Sequence, residues 1–131
     1  MDNSEDQFQT LLANLSVRAN KSLKTSNKMD AIGLLLYEND KVEVFLSVIE
    51  DSISDALTIL QNQLIPIVKE KQPLASCMAY PNYQDQQIIA LLENNEHYAA
   101  EVTIPVKSDP HLHLDLENID IDDGTIYLFG E

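Results

Sequence analysis

The chain has 131 residues, which is one domain by length and enough to bury a core without disulfides or metal. Its net charge of -14 argues against DNA, RNA or an anionic membrane as a partner. Cys77 is the only cysteine, so no intramolecular disulfide can form, and a reducing compartment fits best.

In chain order, the start (Met-Asp-Asn-Ser-Glu-Asp) is acidic and has no apolar signal-like run, so a cytoplasmic location is expected. A first helix is predicted over 5–23, where Phe8, Leu11, Leu12, Leu15, Ala19 and Leu23 make one apolar stripe. Ser4 and Gln7 have capping-box spacing at its start. Arg18, Lys21 and Lys24 fall on the opposite side near its end, where cations complement the helix dipole.

Residues 31–37 and 42–49 read as two strands joined by the turn 38–41. The run 31–37 is the longest apolar stretch and is far too short to cross a bilayer. A second helix is predicted over 52–71, with Ser52 as its cap and Leu60, Leu64, Ile67 and Val68 on its apolar side. Pro66 falls on the polar side, so one bent helix is expected rather than two.

A third strand is predicted over 74–80, with the small residues Ala75, Cys77 and Ala79 on one face. Two more, at 88–93 and 98–106, form a hairpin around Asn94, Asn95 and Glu96. The end of the chain alternates through Leu112, Leu114 and Leu116. It is then expected to turn at Asp123-Gly124 into a last strand over 125–129.

These elements predict a single α+β domain over 1–131, in the order α-β-β-α-β-β-β with room for one further short strand. The arrangement expected is two layers: an antiparallel sheet with both amphipathic helices on one face. Leu35, Tyr37, Phe45 and Ile49 alternate onto the other face, which calls for a second buried layer or a homodimer through the open sheet.

The C-terminal half resembles an uncharacterised family of small bacterial α+β proteins. The likeness rests on Leu92-Glu93, Tyr98-Ala99, Val102, Ile104-Pro105 and the ending Phe129-Gly130-Glu131. The chain departs from that pattern at Asn94, at His97 (a turn glycine in the family) and at Val106. The resemblance implies the fold and carries no activity, cofactor or site.

For function, His111, His113 and Asp115 would share one face of a strand, a workable geometry for zinc and for a small metal-dependent enzyme. A polar strand face opposite Leu112, Leu114 and Leu116 explains the same residues without metal, and no metal or cofactor is expected. Asn118, Asp120 and Asp122 fail the calcium-loop pattern, because Asp123 stands where glycine is required. Cys77 reads as a buried structural thiol rather than a nucleophile. Glu93, Glu96 and Glu101 read as acids of a solvated hairpin.

Tyr80-Pro81-Asn82-Tyr83 reads as a loop whose tyrosines, Tyr80 and Tyr83, could contact a partner. Residues 101–131 hold eight acids and one base, and Asp115, Glu117, Asp120 and Asp122 crowd one hairpin. The function expected is therefore a non-enzymatic, acidic protein-binding module whose partner has a basic surface. An inhibitor or immunity-type protein is the sharper form of that reading.

Overall fold

The computed structural model describes residues 3–26, 31–47, 53–82, 86–107 and 113–129. Helix α1 (Asn3–Ser26) leads into strands β1 (Ala31–Leu36) and β2 (Val42–Ser47), followed by helix α2 (Ile53–Lys71). Strands β3 (Ala75–Asn82), β4 (Gln87–Asn94), β5 (Ala99–Lys107), β6 (His113–Leu114) and β7 (Asp120–Asp123) complete the fold. The protein is α+β, with the predicted order α-β-β-α-β-β-β and two short strands at the end. All strand pairs are antiparallel, in the order β2-β1-β3-β4-β5-β6, and β7 also pairs with β5.

The helices do not share a face, as the sequence had suggested; they lie on opposite faces of the sheet. Leu11, Leu15, Ala19 and Leu23 of α1 pack with Ile32, Leu34, Leu36, Ala75, Cys77 and Ala79. Leu60, Leu64 and Val68 of α2 pack with Ala31, Leu35, Met78 and Tyr80, the alternate residues of the same strands. The molecule is thus three layers rather than two.

Topology supplies the reason. Strands β2 and β3 are both antiparallel to β1, so they run parallel to each other, and α2 joins them as a crossover above β1. The approach is close: a Cβ on Gly33 of β1 would stand 2.8 Å from Leu64 Cδ1. Helix α1 enters before β1 and takes the face left free. There the small side chains of Ala75, Cys77 and Ala79 let it settle against the middle of the sheet. Leaving either face bare would expose a contiguous apolar surface.

Helix α2 runs unbroken through Pro66, which is exposed on the solvent side. Leu15, Leu60 and Leu64 are fully buried, and Phe8 partly so. The expected cap Ser52 lies outside the described residues, as do Ile49 and Leu112.

Two local expectations are overturned. Tyr80, Pro81 and Asn82 are not a loop; they extend β3 and pair with Ile89, Ile88 and Gln87. The last β1 partner of β3 is Ala79, so Pro81 sits where no donor to β1 is needed. The final hairpin also fails to form. Gly124 lies against the backbone of Ala100, its N–H donates to the Ala99 carbonyl at 3.2 Å, and residues 124–129 cross the α2 face without strand pairing.

Candidate functional site

The acidic end of the molecule is built on the outer edge of β5. One half of that edge pairs with β6, through Val106–Leu114 and Lys107–His113. The other half pairs with β7, from Ala100–Asp123 to Thr103–Asp120. Cross-strand partners share a face, so Asp122 stands beside Glu101 and Asp120 beside Thr103 on the α2 side of the sheet. Ile121 stands beside Val102 on the other side, 64 % exposed. Every residue of β7 is exposed, as are Leu116 and Glu117 in the preceding turn.

Asp115 behaves differently from the acids it was grouped with. Its carboxylate accepts Asn118 Nδ2–H at 2.6 Å and the Glu117 backbone N–H at 3.3 Å, and Lys107 Nζ lies 3.7 Å away. The Asn118 bond, with help from the Glu117 N–H and Lys107, holds this carboxyl below the usual range. Asp115 is the cap of the turn into β7, not a free charge. The structure therefore puts Asp120 and Asp122 of the predicted set on one face with Glu101, and leaves Glu117 exposed in the preceding turn.

The remaining sequence candidates scatter. Tyr80 is nearly buried in the α2-side core, where burial first, then Glu101 and Tyr127, raise its hydroxyl pKa. Tyr83 and His111 lie outside the described residues. His113 is on β6, but that strand ends at Leu114, so Asp115 sits in the turn and not on a shared strand face. Among the described residues no group of three or more His, Cys, Asp or Glu side chains is placed to hold a metal. Cys77 is fully buried, and burial pushes its thiol to about 12, which keeps it protonated and unreactive.

One polar centre escaped the sequence reading. Glu93 is not a solvated hairpin acid: it is fully buried. Its Oε1 accepts the backbone N–H groups of Tyr127 (3.1 Å), Leu128 (2.7 Å) and Phe129 (2.9 Å), and its Oε2 accepts that of Tyr127 at 3.0 Å. Burial pushes this carboxyl up, and the three N–H groups pull it partly back. Ser76, its cross-strand neighbour, is also fully buried, and its Oγ has no hydrogen-bond partner among the described residues.

The adjoining turn reinforces the clamp. Asn94, also fully buried, accepts the N–H groups of Glu96 and Tyr98, both at 3.0 Å, and donates to Gln7 of α1 at 3.1 Å. His97 takes a left-handed backbone (φ 66°), the conformation a turn glycine supplies easily. With its proton on Nε2 it donates to the Phe129 carbonyl at 3.0 Å. The signal was parity: Glu93 continues the series Ile89, Leu91 on a strand whose two faces are both apolar.

At the far edge of the sheet, a hollow of about 560 Å³ is lined by Tyr37, Lys41, Val42, Glu43 and Lys71. Tyr37 donates its hydroxyl hydrogen to Glu43 at 2.9 Å, and Lys71 Nζ reaches the same carboxylate at 3.3 Å. The chain matches no protein-family model, no curated protein and no solved structure.

Proposed function

We propose that the protein is a non-enzymatic binding module that engages a basic protein surface with its β7 end. The supporting observation is the exposed strand β7, where Asp120 and Asp122 share one face with Glu101 while Ile121 stands exposed on the other face. A partner that grips this edge strand meets both of its faces: burial of the exposed Ile121 and Leu116 supplies affinity, and the acids steer a cationic partner and set its orientation. An isolated domain gains nothing from holding like charges this close, since they repel.

The triple amide variant Glu117→Gln, Asp120→Asn, Asp122→Asn tests the reading, with Asp115 left intact because it builds the turn. Immobilised protein is used to retain partners from native lysate at low salt, and association rates are then measured for what is retained. A basic partner is expected whose association slows by about tenfold in the triple variant and loses most of its salt dependence. An acidic partner, or an unchanged association rate, would sink the reading.

A further inference from the structure

Among the described residues the sheet has two outer edges, and only one of them is guarded. Exposed strand edges present unpaired N–H and C=O groups, and proteins normally blunt them with charge or short length. Strand β7 meets that rule, with four residues of which three are Asp120, Asp122 and Asp123. Strand β2 does not. It runs six residues, Val42 to Ser47, pairs only with β1 among the described residues, and carries one charge, Glu43. That charge is already engaged by Lys71 and the Tyr37 hydroxyl.

We infer that two copies of this chain associate by antiparallel pairing of their β2 edges across a two-fold axis, joining the two sheets into one. The layout of charge selects a second copy as the occupant. Residues 101–131 carry eight acids against one base, and β7, their fully exposed strand, stands at the opposite end of the sheet. Pairing through β2 thus keeps the two acidic ends as far apart as the molecule allows. Beside β2 the charges are mixed, with Lys41 and Lys71 near Glu43. A two-fold contact needs a self-complementary patch, and a near-neutral, mostly apolar strand is one. Strand pairing alone buries less than the roughly 1,200 Å² of a stable interface. The hollow flanked by Tyr37 and Lys41 adjoins the edge and gives the partner's flanking side chains a seat.

Sedimentation equilibrium of the full chain should show a monomer–dimer equilibrium that tightens several-fold as salt is raised. Screening relieves repulsion between two strongly acidic bodies. Val44→Lys places an ammonium group on each facing edge and should weaken the dimer by about tenfold or more. Ile121→Lys, at the other edge, should leave it unchanged. Because Val44 is partly buried, amide exchange of the unaltered protein gives an independent readout, with protection in 42–47 that rises with protein concentration. A monomer at all concentrations and salts overturns the inference. So does a dimer that Ile121→Lys breaks while Val44→Lys does not, or exchange in 42–47 that ignores concentration.

Discussion

The Glu93 carboxylate lies 2.7 Å from the backbone nitrogen of Leu128, a contact that ties the end of the chain to the middle of the sheet. The segment around Leu128 has no strand partner among the described residues, so this side chain does for Tyr127, Leu128 and Phe129 what a ladder would otherwise do. Leaving a buried donor unpaired costs about 1–3 kcal/mol. Tyr127 and Phe129 are only half-buried and can turn to water, so Glu93→Ala is expected to cost about 3 kcal/mol rather than the full sum. Urea unfolding measures the loss. Amide exchange locates it: residues 127–129 should lose protection before Leu91 does.

Glu93 also sets a direction for pH. Its folded-state pKa is raised by burial, so its favourable contribution is complete below the ordinary carboxylate range and is lost as pH rises through the folded value. Glu93→Gln removes that titration while keeping one acceptor oxygen. The stability difference between the unaltered protein and Glu93→Gln should therefore shrink as pH rises through this window. A difference that grows with pH would show that the N–H groups outweigh burial.

Asp115 has the opposite sign. Its carboxyl is held low by Asn118, so its contribution is present above the unfolded value and lost as pH falls through the folded one. Because it caps the turn into β7, Asp115→Asn should loosen residues 115–118 at neutral pH and change nothing below that window. Amide exchange at Glu117, whose N–H the carboxylate accepts, reads the effect directly.

Two glycines should respond differently to alanine. At Gly33 the added Cβ meets the end of the Leu64 side chain at 2.8 Å, which can rotate aside. At Gly124 it meets the Ala100 backbone at 2.6 to 2.9 Å, which cannot move without disturbing β5. Gly124→Ala should cost about 1–3 kcal/mol, and Gly33→Ala distinctly less. Thermal unfolding of the two variants ranks them, and the reverse order would mean that residues 124–129 lift off easily.

Much of this fold was legible because periodicity is local. The stripe Leu11, Leu15, Ala19, Leu23 and the alternation of Val42 and Val44 with Glu43 along β2 are written in neighbouring residues. The layer count was missed because it depends on a long-range fact, that β3 pairs with β1 on the side away from β2. A hint existed in β1, whose Ala-Ile-Gly-Leu-Leu-Leu has no polar face at all and is buried throughout. Asp123-Gly124 misled because Gly124 serves close contact with Ala100, not a tight turn. Glu93 was misjudged by type: an acid on a hairpin is usually solvated, and its partners lie more than thirty residues away.

The three-layer arrangement makes a prediction that a two-layer one would not. Leu15 of α1 and Leu60 of α2 are both fully buried, but in separate clusters on opposite sides of the sheet. Each truncation to alanine removes apolar area and leaves a cavity, at about 2–5 kcal/mol apiece. Were the helices side by side, both cavities would open into one core, and relaxation around the first would alter the cost of the second. With the sheet between them, the two losses should add to within about 0.5 kcal/mol. Leu60→Ala with Leu64→Ala, on one helix and in one cluster, is the coupled control. Since the Leu15/Leu60 double variant could unfold outright, Leu15→Val and Leu60→Val give a milder cycle. Coupling between positions 15 and 60 as large as that between 60 and 64 would place both helices over a common core after all.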